Sequence, residues 1–299
     1  MDQIVLLSLL DGIAMSSVLF LLAVGLSLIF GVMRILNIAH GGFYAIGAYG
    51  ASLLGQSLIG PSGSWLNFLL IVLVAVVAGV ILGLIVERFV LSKMYEKDHI
   101  LQILSTFAVF MMLEDGQKLL FGVRPYFYDA PLTLLGTINV GDIFYTKYQL
   151  IVLPAIALVV LLSLIIFFKH TRYGKIIEAV IEDTEISATL GINTKKVYTY
   201  TFILGTFLAC LSGALASPAT SIVPGIGAEV IVLSFAIVAT AGLGNFFGTA
   251  LTSIIIGLAY SASVYTYAEF TNVIPYLVMA LILIVKPYGL FGEPERVRL

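Results

Sequence analysis

Long uncharged runs, rather than alternation, dominate this chain. Gly12 to Met33 is 22 residues without a charge, and Trp65 to Val86 is another 22. Tyr148 to Phe168 and Val197 to Ser217 are 21 each. A helix needs about 20 apolar residues to cross about 30 Å of hydrocarbon, so each of these four is long enough. Segment 100–121 is apolar up to Leu113 and then carries Glu114, Asp115 and Lys118. Between Arg34 and Trp65 lies a softer, glycine-rich stretch. From Val230 to Ala268 no charge occurs for 39 residues. One straight helix of that length would be about 58 Å long, so the run must turn. Gly242, Gly244 and Asn245 mark the place, because glycine is free of the usual φ limits and asparagine tolerates turns. The last run, Phe270 to Val285, is short and holds Pro275. Pro154 predicts a kink near one end of its span. The pattern predicts an all-α polytopic membrane protein with nine hydrophobic segments. Eight or nine would cross fully, in one membrane domain over 1–299.

The Lys and Arg residues orient these segments. With 169–196 in the cytoplasm, the inner side collects Arg34, Arg88, Lys93, Lys97, Lys169, Arg172, Lys175, Lys195, Lys196, Lys286, Arg296 and Arg298. That is 12 of the 15 basic residues. Lys118, Arg124 and Lys147 remain outside. The split predicts the N-terminus outside and the C-terminus in the cytoplasm. Met1-Asp2-Gln3 has no positive charge before its apolar run, which argues for a retained first span rather than a cleaved signal. The outer loop 122–147 is expected to form a small β-ribbon over Leu132–Phe144, as a cap or as a docking surface. In the inner loop, a short helix over 175–190 would turn Ile177, Val180, Ile181 and Ala188 to one side. Gly191 would cap it in the left-handed conformation, and Asn193 or Thr194 would start the next span. Glu178, Glu182, Asp183 and Glu185 make this helix acidic. Anionic lipid would repel it, so a protein partner suits it better than the membrane surface.

Composition agrees with the pattern: 60% of residues are hydrophobic and 11% charged, where soluble domains average about 25% charged. The net charge of −2 excludes a nucleic-acid binder as the default reading. Cys210 is the one cysteine and forms no internal disulfide. There is no G-x-x-x-x-G-K-[ST] run, so the chain carries no P-loop of its own, and no H-E-x-x-H, C-x-x-C or G-x-S-x-G. His40, His99 and His170 have no metal-ligand spacing. No metal, cofactor or catalytic residue is expected. Ionisable groups inside spans are functional candidates by default. Asp11, Glu114 and Asp115 qualify, with Glu229 and Glu269 at segment ends. Asp11 reads as interfacial, and Glu114 as the i,i+4 partner of Lys118. The stretch 37–52 is the most unusual. Asn37 and His40 open it, and Gly41, Gly42, Tyr44, Gly47 and Tyr49 follow. Two readings stand: a tight helix crossing permitted by small residues, or a discontinuous helix lining the route of a polar substrate.

Four blocks resemble a known family. The run from Gly25 through Tyr44, followed by Gly47-Ala48-Tyr49, is similar to a signature of permease subunits of ATP-driven importers for branched-chain amino acids, LivH type. Thr171-Arg172-Tyr173-Gly174, with Ala179, Asp183, Ala188 and Leu190-Gly191-Ile192-Asn193, resembles the segment by which such permeases meet their ATPase. Gly242-Leu243-Gly244 and Lys286 through Gly292 are the other two. Glu178 stands where the family usually has a basic residue, and Asn245 where it usually has serine. The resemblance implies a second similar permease chain, two ATP-binding cassette subunits that use the ATP, and an extracytoplasmic binding protein, all at a cell inner membrane. It implies Gly174, Glu178, Ala179, Asp183, Ala188, Leu190 and Gly191 as ATPase-coupling residues. Close relatives import urea, short amides or other amino acids, so the resemblance identifies the machine better than its cargo. A gradient-driven transporter, a channel and a non-transporting scaffold are the rival readings.

Overall fold

The computed structural model describes residues 2–60, 64–141 and 143–292. All nine predicted segments fall on helices: α1 (Asp2–Met33), α2 (His40–Leu54), α3 (Leu66–Phe89), α4 (His99–Phe121), α6 (Leu153–His170), α9 (Thr194–Ala216), α10 (Ile226–Ala241), α11 (Phe246–Thr266) and α12 (Ile274–Val285). The short α5 (Ala130–Leu135), α7 (Arg172–Glu182) and α8 (Thr184–Thr189) lie between them. Spans over Gln3–Met33, Leu66–Lys93, Tyr148–His170, Thr194–Ala216 and Phe246–Thr266 are long and apolar enough to cross a membrane. The chain is thus a multi-pass helical membrane protein. A π-helical turn, Tyr148–Val152, leads into α6 directly before Pro154, which has no N–H to give back to that turn.

Helix α9 is the centre. Its small residues let three neighbours approach closely. A Cβ on Gly213 or Gly47 would collide with the backbone of Tyr44 or Cys210, across the α2–α9 contact. A Cβ on Gly79 of α3 would lie 2.5 Å from Phe207 Cα. Ser212 donates from Oγ to the Val18 carbonyl of α1 at 2.7 Å. Helix α11 lies antiparallel against the other side of α1, where Ser261 Oγ donates to the Ser8 carbonyl at 2.8 Å. Helices without a hydrophobic drive to associate hold together through such dispersion contacts and serine–carbonyl bonds.

The loop over 122–147 corrects one expectation. Residues 130–135 are helical, and the β-ribbon begins only at β1 (Thr137–Val140), paired antiparallel with β2 (Ile143–Thr146). Pro131 in the first turn favours the helix, and Gly136 ends it with φ 66°. The loop is also tied to the segment after α9, since Tyr126 and Ile222 exchange both backbone hydrogen bonds at 3.0 Å.

The predicted turn after α10 is present. Gly242 and Gly244 have φ of 95° and 82°. Asn245 starts α11 by accepting from the Gly248 N–H at 2.7 Å. Residues 286–292, a motif distant in sequence, fold onto this turn. Leu290 and Phe291 donate their N–H groups to the Thr240 and Ala241 carbonyls at 2.8 and 3.0 Å, satisfying the end of α10.

Candidate functional site

The stretch before α2 is a broken span. Residues 34–39 are not helical, and Arg34 adopts a left-handed φ of 54°. Thr106 of α4 takes over the lost backbone partners: its Oγ1 donates to the Leu36 carbonyl at 3.1 Å and accepts from the Ile38 N–H at 3.3 Å. His40, fully buried, donates from Nε2 to the Leu22 carbonyl of α1 at 2.9 Å. Leu22 lies eleven residues before the end of α1, about 16 Å by helical rise. Helix α2 therefore starts deep within the bundle, not at its edge. Asn37 is buried there, with neither side-chain polar atom hydrogen-bonded among the described residues. The cap of α2 is Ala39, without a side-chain bond, so Asn37 does not cap it.

Most of the residues expected to line a path are packed. Gly41 lies against Gly227 at the start of α10, where a Cβ on Gly227 would sit 2.6 Å from the Gly41 carbonyl oxygen. Gly42 abuts Leu113, at 2.9 Å from an added Cβ, and Gly47 abuts Cys210. Tyr49 stacks on Phe121 at 5.0 Å between ring centres. Tyr44 is different: it lines an open cavity.

That cavity, about 400 Å³, lies between α1, α10 and α11, with α2 at its floor. Asp11, Ala14, Met15, Val18, Leu19 and Leu22 form its wall on α1, at the i,i+3/i+4 spacing of one helix face. From Asp11 to Leu22 it runs about 16 Å along the helix. Gln149, Ser221 and Tyr265 share the rim with Asp11, on the side of the β-ribbon. The Asp11 carboxylate accepts from Tyr145 of β2 at 2.6 Å and from Tyr265 of α11. Burial, and then the bond to Asp11, hold the Tyr145 hydroxyl far above the ordinary phenol range. Glu229, in the first turn of α10, also lines the cavity, as do Tyr44 and Tyr260. Sequence reading left Glu229 as an end residue and missed Gln149, Tyr260 and Tyr265. The available signal was the carboxylate two residues after Gly227, at the start of a helix too short to cross alone.

At the opposite end, the predicted single helix over 175–190 is two. Asp183 interrupts it with φ −154° and ψ 106° and caps α8, accepting from the Glu185 and Ile186 N–H groups at 3.0 Å. An aspartate at such a point offers the backbone a better partner than continued helix does. Within α7, Ile177 and Val180 are buried and Ile181 is exposed, and on α8, beyond the break, Ala188 is exposed. Thr171 caps α7 by accepting from the Gly174 N–H at 3.0 Å. Gly174 is buried against the end of α6, where an added Cβ would lie 2.7 Å from Phe168 Cα. Glu178, Ala179 and Leu190 face outward. After α8 the chain closes a Schellman turn, with Ile192 N–H to Ser187 O at 3.1 Å and Gly191 N–H to Ala188 O at 3.0 Å. Gly191 has φ 87°, and Asn193 caps α9. Beside α7 an apolar groove is lined by Phe167, Tyr173, Ile176, Val197 and Tyr200.

A bundle of apolar helices around a broken span, with a cavity entered from one side and a pinned amphipathic helix on the other, is the architecture of a membrane permease. Residues 8–284 match the family model described as branched-chain amino acid transport system / permease component, and the chain belongs to that family. It is 26% identical over 293 residues to the high-affinity branched-chain amino acid transport system permease protein LivH of Salmonella typhimurium, covering 95% of this chain and 94% of that protein. The corresponding protein BraD of Pseudomonas aeruginosa is 24% identical over 297 residues, covering 96% and 95%. LivM of Escherichia coli, also a permease protein of that transport system, is 26% identical over 302 residues, covering 94% of this chain and 69% of its own length.

Proposed function

We propose that this chain is one permease subunit of an ATP-driven importer for branched-chain amino acids in the inner membrane. It pairs with a second, similar permease, as the likeness to both LivH and LivM suggests, and works with two ATP-binding cassette subunits and an extracytoplasmic binding protein. The cavity between α1, α10 and α11 carries the reading. It is the outer part of the translocation path, with the N-terminus outside and the C-terminus in the cytoplasm. All nine apolar helices take part in crossing, α2 together with its unwound lead-in. Val18, Leu19, Leu22, Leu153, Val230, Leu233 and Val264 give the cavity an apolar lining suited to an aliphatic side chain. Urea or a short amide would leave that surface unmatched. Closure of the ATPases moves α7 and α8, and through them α6 and α9, which rocks the bundle from one accessible side to the other.

Reconstituted with its partners in vesicles, the complex should accumulate leucine only with ATP inside and binding protein outside. Uptake driven by an ion gradient without ATP would refute an ATP-driven importer. Orientation has its own test, because Cys210 is fully buried and contributes little labelling background. In a Cys210→Ser chain, Asn139→Cys should react with an impermeant maleimide in intact cells and Ala179→Cys should not. Labelling of Ala179→Cys from outside would reverse the topology.

A further inference from the structure

The cavity lining is asymmetric in charge. Among the described residues it includes the carboxylates of Asp11 and Glu229 and no lysine, arginine or histidine. The two acids are not equivalent. Asp11 is engaged at the rim by Tyr145 and Tyr265. Glu229 also lines the cavity with its side chain exposed, and no ion pair or hydrogen bond engages that side chain among the described residues. Tyr44 is 3% exposed and lines the cavity floor, yet its hydroxyl makes no hydrogen bond among the described residues. The ring is packed, while the hydroxyl stays open to the cavity, where a donor can reach it. Both groups owe their positions to the Gly41–Gly227 contact. That contact brings the first turns of α2 and α10 together, with Tyr44 one turn beyond Gly41 and Glu229 two residues beyond Gly227.

We infer that Glu229 and Tyr44 receive the ammonium group of the passing amino acid. The inference rests on the import reading above and deepens it from cargo class to the recognising atoms. A protonated amine presents three donors and one positive charge. The Glu229 carboxylate supplies the opposite charge and two acceptor oxygens, and the Tyr44 hydroxyl oxygen a third acceptor. The helix wall below Asp11 takes the aliphatic side chain. No group in the lining offers positive charge to the cargo's carboxylate, so that end is left to other partners or to water at the mouth.

The test separates binding from transport. The full chain in nanodiscs is titrated with 3-methylbutylamine, which keeps the ammonium and the branched tail, and with 4-methylpentanoate, which keeps the tail and the carboxylate. The amine should bind at least about tenfold more tightly than the acid, as a lost charge-assisted bond implies. Glu229→Gln should remove that preference and Tyr44→Phe should weaken amine binding by a smaller factor. Glu229→Asp should restore part of it. Equal binding of amine and acid by the native chain, or an undiminished preference in Glu229→Gln, overturns the inference. If Glu229→Gln does not fold, Tyr44→Phe decides alone, and unchanged amine affinity there overturns it equally. Leucine uptake by the complete transporter is read in parallel. Amine binding that depends on Glu229, without leucine uptake, would sink the cargo assignment and leave the ammonium site standing.

Discussion

Gly213→Leu and Gly47→Leu should each leave little or no protein in the membrane. The two glycines face each other's helices where α2 crosses α9, and a Cβ at either would meet main-chain atoms of Tyr44 or Cys210. Backbone of a packed helix cannot swing aside as a side chain can. The cost should reach the upper end of overpacking penalties, about 3 kcal/mol or more, which is enough to cut cellular abundance several-fold. Gly116→Leu is the matched control, because an added Cβ there meets nothing within 4 Å. Quantified membrane fractions give the answer. Normal abundance of Gly47→Leu with transport blocked would mean that this face lines the path rather than the helix contact.

The surface proposed to couple to the ATPase should fail in the opposite manner, with the permease intact and the complex lost. Ile186, Ala188 and Leu190 are exposed on and just after α8, at 56% for Ile186 and 77% for Leu190. Large apolar side chains left exposed at this end of the bundle, on a helix pinned through α7 to α6, need a cover. The acidic Glu178, Glu182 and Glu185 make that cover a protein rather than anionic lipid. Burying a leucine is worth about 1.5–3 kcal/mol, so Leu190→Asp should weaken ATPase attachment by about tenfold or more. Ala188→Trp should block close docking outright. Both variants should insert at native levels, because no span is altered. Co-purification of the ATPase and binding-protein-stimulated hydrolysis are the readouts. Full assembly and coupling in both variants would exclude this surface as the transmission element.

The nine apolar segments, the turn at Gly242–Asn245 and the left-handed cap at Gly191 were legible in the linear sequence, and the helices stand where it predicts them. Each of these follows from local physics. Hydrocarbon demands a run of apolar residues, a 39-residue run exceeds the membrane, and a positive φ favours glycine. The break at Asp183 was less legible, because an aspartate is tolerated within a helix as well as at its cap, where its side chain competes for the backbone N–H groups. What the tertiary structure alone decided is which side chains meet. The glycines at 41, 42 and 47 fit a helix crossing and a substrate path equally well in sequence. Only the neighbours at Gly227, Leu113 and Cys210 assign them to packing. Glu229 stands out little in the chain, and it becomes a cavity residue because the Gly41–Gly227 contact brings its turn of α10 to the turn of α2 that carries Tyr44, which is 185 residues away in sequence. Periodicity reports which residues avoid water. It carries no information on which of several apolar faces packs against which, since all of them satisfy lipid equally, and the cavity exists only where two such faces fail to close.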